Sequence, residues 1–263
     1  MAGEQAIFIT GGGSGIGQAV AKLFAARGWR VGLADINAAG LEATAAMLPA
    51  GMATTHVMDV RDRDQWRTEL AAFAEASGGR MDVLFNNAGI AIGGPLAGAS
   101  DDEIDRIVGI NLVGVINGAR AAYPLLKATP GSTLVNTASA AALYGSSGLA
   151  LYAAVKFGVR GLSEALDAEW AGDGINVRVV MPSFIDTPLL DSNVSGTNRT
   201  ARQSVQAAGL EFTPVEQVAE AIWNGIRRDK VHVVIGKTAR RLAFASRWMP
   251  GALRKQMRRG GMR

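Results

Sequence analysis

Thr10-Gly11-Gly12-Gly13-Ser14-Gly15-Ile16-Gly17 decides the fold. It stands directly after an apolar run, Ala6–Ile9, and before a helical pattern from Ile16 to Arg27, where Ala19, Val20, Leu23 and Phe24 share one face and Gly28 is a stop. A strand must therefore turn sharply into a helix. Such a turn gathers bare backbone and the free N–H groups of a helix N-terminus at one point, an arrangement that accepts a pyrophosphate. By itself a glycine cluster is equally a plain turn. Its context adds Asp35, an acid at the end of the next apolar run and 18 residues past Gly17.

A carboxylate at that place can accept hydrogen bonds from both ribose hydroxyls of an adenosine and repels a 2′-phosphate. Neither Ile36 and Asn37 nor Gly12, Gly13 and Ser14 supply a cation, so NAD is expected over its phosphorylated form. The alternative is an Asp that merely caps the following helix.

Working outward, apolar runs alternate with helical patterns. Strands are expected at Arg30–Ala34, Thr54–Met58, Met81–Phe85, Thr133–Asn136, Asn176–Met181 and Val231–Ile235. Helices are expected at Ala38–Leu48, Arg61–Ala76, from Asp101 to about 123, at Leu149–Trp170 and at Pro214–Arg227, with a loop-rich region over Ser183–Gly209. The acids Asp101, Asp102 and Glu103 suit a helix start. This alternation predicts an α/β fold: one doubly wound parallel sheet of about seven strands, helices on both faces, as one domain over 1–236 followed by a basic tail, 237–263.

Composition narrows the chemistry. The chain has 263 residues, 33 of them glycine, and no cysteine, which excludes disulfides, thiolate metal sites and a cysteine nucleophile. Two histidines, His56 and His232, make a His-rich metal site or a Ser-His-Asp triad improbable; both lie in strand-like runs and read as structural, and no metal is expected. Met58, Phe73, Phe85 and Phe157 read as core. Residues 1–236 hold all 23 acids and 18 Lys/Arg, a formal charge of −5, while 237–263 hold the other nine cations and no acid. A body of that sign is a poor nucleic-acid binder. The longest uncharged stretch, Ala128–Val155, is interrupted by Pro130, Gly131, Asn136, Gly145 and Gly148 and reads as interior chain beside a pocket, not a membrane span. With no targeting segment visible at Met1-Ala2-Gly3-Glu4, a cytoplasmic location is expected.

In combination these motifs resemble the short-chain dehydrogenase/reductase family over about residues 5–236. Thr10-Gly-x-x-x-Gly15-Ile16-Gly17 is similar to its cofactor loop, with Gly11, Gly13 and Ser14 inside it. Asp59-Val60 resembles the pair that contacts adenine, and Asn86-Asn87-Ala88-Gly89 the motif that ends the fourth strand. Asn111, Ser139, Tyr152 and Lys156 match the catalytic tetrad, with 13 residues from Ser to Tyr and four from Tyr to Lys. Pro182-Ser183-Phe184-Ile185-Asp186-Thr187 resembles the stretch that holds the carboxamide, with Pro182, Ile185 and Thr187 as contacts and Ser183 standing where the family usually has glycine. The resemblance implies an NAD-dependent oxidoreductase of the Rossmann-like fold, an Asn111-bound water linking Lys156 to solvent, and a homodimer or homotetramer built through the two long helices.

Without the family, Tyr152 and Lys156 are i and i+4 and would share a helix face. An ammonium near a phenol favours the phenolate, which could take a hydroxyl proton while a hydride leaves. Ser139 could hold the substrate oxygen in line. Singly, each has a plainer reading: a solvated face for the Tyr–Lys pair, a turn for Ser139, a kink or cap for Asn111. Substrate contacts are expected from Ile90, Ala141, Leu143, Tyr144, Leu149, Ser183, Phe184, Leu189 and Leu190, a largely apolar set suggesting a bulky secondary alcohol or ketone. Arg199 and Arg202 could meet an anionic group or be solvated. The rival functions are a non-catalytic NAD-binding regulator and an NADP-linked carbonyl reductase. In the tail, Leu242, Ala245, Trp248, Met249, Leu253 and Met257 recur at helical spacing across Pro250-Gly251. Docking on the acidic body or a neighbouring subunit is the favoured reading; contact with anionic lipid or a solvated tail are the others.

Overall fold

Every residue of Ala6–Thr10 is buried, and so is every residue of Val83–Asn86 and Thr133–Thr137. Strands without a polar side belong in the middle of a parallel sheet covered on both faces. The computed structural model describes residues 4–191 and 200–259, and places these strands there. In chain order the elements are β1 (Ala6–Thr10), α1 (Gly15–Ala26), β2 (Arg30–Asp35), α2 (Ala38–Ala45), β3 (Ala53–Val57), α3 (Arg63–Ala76) and β4 (Val83–Asn86). There follow α4 (Asp101–Val108), α5 (Gly114–Ala128), β5 (Thr133–Thr137), α6 (Ala150–Trp170), β6 (Asn176–Pro182), α7 (Ala201–Ala207), α8 (Val215–Gly225), β7 (His232–Ile235), α9 (Lys237–Trp248) and α10 (Pro250–Arg259).

The seven strands form one sheet in the order β3-β2-β1-β4-β5-β6-β7, and every pairing is parallel. The order reverses between β1 and β4, which opens a crevice at their carboxyl ends. Alternate residues of the central strands feed two cores. Ile7, Ile9, Leu33 and Phe85 pack with Val20 and Phe24 of α1 and Ile222 of α8 on one face. Phe8, Leu84 and Leu134 pack with Trp66, Leu70 and Phe73 of α3 and Leu126 of α5 on the other.

Three local expectations change. The long helix from Asp101 is α4 and α5 joined by a π-helical turn, Gly109–Val113, and it runs past Pro124 to Ala128. The buried face of α5, with Ala122 and Leu126 fully enclosed, outweighs the N–H that Pro124 lacks. The region 183–209 is not all loop: Thr200 and Gln203 form a reciprocal capping box that starts α7. Phe157 is not core; it lies on the outer side of α6 and is 42% exposed, whereas Met58, Phe73 and Phe85 are buried. His56 is buried between Phe8 and Phe73 and bonded to Thr54 and Glu69, and His232 bonds Glu164.

The basic tail is helical. α9 leaves β7 at Gly236 and packs against the turn Ala140–Ala142, and α10 folds back on α9. Ala239 and Leu253 are buried, and Met257 Sδ lies 3.7 Å from Ser146 Oγ. Trp248 and Met249, read as apolar docking positions, do not dock on the body of this chain; both are exposed.

Candidate active site

The glycine loop is held from behind. Thr10 Oγ1 accepts from the backbone N–H of Asn87 (2.9 Å) and of Ala88 (3.1 Å), while the Asn87 amide donates to the carbonyl oxygen of Thr10 at 3.1 Å. These bonds tie the end of β1 to the end of β4 across the crevice. Gly11 and Gly15 have φ of 68° and 53°, which favours glycine. A β-carbon on Gly17 would overlap the carbonyl of Gly11, so α1 approaches the loop as closely as it does only through that glycine. Ser14 precedes α1 as its N-cap without a side-chain capping bond, which leaves first-turn N–H groups for a ligand.

Asp35 ends β2 and faces the loop. One carboxylate oxygen accepts from Gly13 N at 3.1 Å and the other from Asn37 N at 3.0 Å. The cap of α2 is Asn37, whose side chain accepts from Gly40 N, so Asp35 is not the capping residue. Thr187 reaches over the loop from the other side: a β-carbon on Gly15 would lie 3.2 Å from its methyl group. The glycines thus keep clear a cradle that is bounded by Asp35 and Thr187 and suits a dinucleotide. Asp59, expected beside adenine, carries an ion pair of its own. Arg61 holds it through Nε and Nη2, at 2.9 and 2.6 Å, and these hydrogen bonds keep its carboxyl below the ordinary range. Val60 is nearly buried, and its carbonyl takes the indole N–H of Trp66.

At the carboxyl end of β5, Ser139 caps the turn Ala140–Ala142 and its Oγ accepts from Ala141 N at 3.2 Å. With that acceptance fixed, its O–H can be given to a neighbour. The neighbour is Tyr152, whose hydroxyl lies close enough to Ser139 for an interaction that favours the phenolate. Lys156 follows one turn along α6, buried, with Nζ 5.7 Å from the Tyr152 ring centroid and 2.9 Å from the carbonyl oxygen of Thr137. Burial lowers the Lys156 ammonium to about 8.

The phenol moves the other way. Burial pushes Tyr152 above its ordinary value, and the interaction with Ser139 offsets this only in part. In the cofactor-free chain the desolvation cost of the phenolate dominates; the expected acidification calls on two cations, Lys156 and the positive ring of an oxidised nicotinamide.

Asn111 lies in the π-turn, fully buried. Its Oδ1 accepts from Ile90 N and its Nδ2 donates to Ile90 O, both at 2.8 Å. Its amide fixes the backbone after Gly89, where a β-carbon would come 3.2 Å from Asn111 Oδ1 and 3.7 Å from Lys156 Nζ. The structure thus brings Asn111, Ser139, Tyr152 and Lys156 together.

The expected substrate residues divide. Ala141, Tyr144, Leu149, Phe184 and Leu190 are partly buried around the segments flanking Ser139 and Pro182, and Leu189 is exposed. Leu143 packs instead into the core with Val159 and Met181. Ile185 is buried in the main core, so only its backbone can serve a ligand. Ser183 does not face the pocket: its Oγ occupies the space that a β-carbon on Gly236 would need. Arg202 is neither solvated nor free; Nε binds Asp191 at 2.7 Å and Nη1 binds Asp186. Arg199 lies outside the described residues. Sequence reasoning missed Arg61, the Thr137 carbonyl and the backbone of Ile90. Only Arg61, two residues past Asp59, had a local signal.

The comparisons agree with this geometry. A 3-oxoacyl-[acyl-carrier-protein] reductase of Thermotoga maritima is 35% identical over 217 residues, 81% of this chain and 87% of the relative. A meso-2,3-butanediol dehydrogenase of Serratia marcescens is 38% identical over 184 residues, 70% of this chain and 72% of the relative. A short-chain dehydrogenase/reductase from Burkholderia phymatum, solved in complex with NAD, superposes with a TM-score of 0.84 at 27% identity, covering 97% of this chain and 95% of its own. The family model described as short chain dehydrogenase matches residues 5–198. A parallel sheet with its glycine loop at the reversal of strand order, and a Ser-Tyr-Lys cluster at the ends of the neighbouring elements, is thus the mark of kinship: the chain belongs to the short-chain dehydrogenase family of oxidoreductases.

Proposed function

We propose that this protein is an NAD-dependent alcohol dehydrogenase or carbonyl reductase acting on a bulky, largely apolar secondary alcohol or ketone. The observation that carries this reading is the burial of Lys156 one helical turn from Tyr152, with its Nζ 5.7 Å from the Tyr152 ring centroid and Ser139 beside the Tyr152 hydroxyl. A substrate oxygen seated between the two hydroxyls would be oriented by Ser139 and would exchange its proton with Tyr152 Oη. A bound nicotinamide supplies the hydride acceptor or donor and, when oxidised, a positive charge.

The chain's own groups support this role. Lys156, with a basicity reduced to about 8, can exchange a proton near neutral pH and is held by the Thr137 carbonyl. Asn111 is a positioning residue that sets the backbone beside it. In this reading the glycine loop, bordered by Thr187 at Gly15, and Gly89 hold the dinucleotide, and Asp35 receives the ribose hydroxyls. Asp35 has no cation within the loop that could host a 2′-phosphate, which favours NAD.

A panel of secondary alcohols with NAD and with NADP, followed by the absorbance of reduced nicotinamide, tests the reading. Turnover with NAD that disappears in Tyr152→Phe is expected. Binding of both dinucleotides without turnover of any alcohol or ketone would overturn the catalytic assignment, and tighter NADP binding would overturn the cofactor assignment.

A further inference from the structure

The outward face of α9 is built for a surface rather than for water. Lys237, Arg240, Arg241, Phe244, Arg247 and Trp248 recur at helical spacing and are all exposed, while Ala239, Leu242 and Ala243 turn toward the body. Phe244 is 60% and Trp248 66% exposed, with Met249 beside them at 51%. The Arg247 guanidinium lies 5.4 Å from the Trp248 ring centroid.

We infer that this face is a peripheral docking site for an anionic lipid surface. Charge complementarity is one reason: residues 237–263 carry nine cations and no acid, and although Lys237 meets Glu211 at 3.7 Å, the hairpin itself supplies no neutralising carboxylate. Area is another. At the aromatic tip, Phe244 and Trp248 together expose roughly 250 Å², scaling from about 150–250 Å² for a whole aromatic side chain. That is about a third of the ~800 Å² per partner of a stable protein interface. In the headgroup region each aromatic inserts by itself, and cations around it meet phosphates directly.

Among the described residues no helix is long and apolar enough to cross a membrane, so the contact is one of resting on the surface. The hairpin is also tied to the site. α9 packs on the turn that Ser139 caps, and Met257 touches Ser146, between Ser139 and Tyr152. Docking would hold the mouth of the cleft beside the surface, where an apolar alcohol or ketone partitions. The docking inference itself does not depend on the catalytic reading.

The test is co-sedimentation of the full-length protein with phosphatidylcholine vesicles and with vesicles in which a third of that lipid is phosphatidylglycerol. Pelleting with the anionic vesicles only is expected, reversed by high salt and weakened about tenfold or more by Phe244→Ser with Trp248→Ser. Both side chains are exposed, and circular dichroism verifies that the double variant keeps its fold. No vesicle-dependent pelleting overturns the inference, and so does pelleting that the double variant leaves unchanged. A shift of the double variant to a smaller assembly in lipid-free sedimentation velocity also overturns it, because the tip would then cover a second copy of the chain.

Discussion

The hydroxyl of Ser183 and the missing β-carbon of Gly236 occupy the same space. Ser183 follows β6, Gly236 follows β7, and the Ser183 N–H donates to the carbonyl of Ile235 at 3.1 Å. Gly236 has φ of 93°, and its would-be β-carbon also comes 2.9 Å from Thr213 Oγ1. Gly236→Ala therefore meets both a forbidden backbone angle and a side-chain overlap. It is expected to cost about 2–6 kcal/mol, the combined scale of a strained φ and overpacking. Adding Ser183→Gly should restore the part due to the Ser183 overlap but neither the Thr213 contact nor the backbone part. Urea unfolding of the two single variants and the double one measures this; additive losses would show that the two sites are not in contact.

Tyr152→Phe leaves the ring and its neighbour Lys156 in place and removes only the hydroxyl. Turnover should fall by about 10²–10⁴-fold or more, with the NAD dissociation constant changed less than about threefold. Stopped turnover with lost NAD binding would mean that the hydroxyl serves the cofactor site rather than the proton transfer.

The same variant isolates a titration. The chain has three tyrosines, and the difference spectrum between native protein and Tyr152→Phe reports residue 152. Its phenolate should form above pH 10.0 without cofactor, because burial raises it. Saturating NAD should move it down, since a second nearby positive charge favours the anion. A phenolate already formed near neutral pH in the cofactor-free protein would make Lys156 its sufficient cause.

Much of this architecture is legible locally. Buried strands announce themselves as short apolar runs, and Thr10 to Gly17 marks the reversal of strand order. Asp35 stands at the end of β2 for the same reason: strand length and turn chemistry are local. Features set by distant partners were not legible. The π-turn at Asn111 is held by Ile90, 21 residues away, and the Lys156 ammonium by Thr137, 19 residues away. Phe157 misled because an apolar residue on a long helix does not say which face it occupies. For Trp248, helical spacing likewise does not say whether this chain or something else covers the face. The upward push of burial on Tyr152 was not legible, because burial is a property of the whole fold.

Asp35→Ala removes the acceptor for Gly13 N and Asn37 N as well as the expected ribose contact. Loss of NAD affinity by about tenfold to a hundredfold is expected, corresponding to roughly 1.4–2.7 kcal/mol, with NADP affinity unchanged or improved. Calorimetric titration with both dinucleotides measures it. Equal loss for NAD and NADP would mean that Asp35 acts only by bracing the glycine loop.

Lys156 makes a prediction about stability that runs against its usefulness. Its ammonium is deprotonated more easily in the folded chain, at about 8 against 10.5. Between those two values the unfolded chain binds more protons than the folded one, so stability should rise with pH across that window. Below it the cost of burying the charge is fully present, on the order of 3 kcal/mol if burial is the whole cause. Lys156→Met fills similar space without the charge. It should be inactive, yet at pH 7 at least as stable as the native protein, and its stability should be flat where that of the native protein climbs. Urea midpoints at several pH values compare the two. A Lys156→Met protein clearly less stable at pH 7 would show that the bond to the Thr137 carbonyl outweighs desolvation, and that the buried ammonium belongs to the framework as well as to the chemistry.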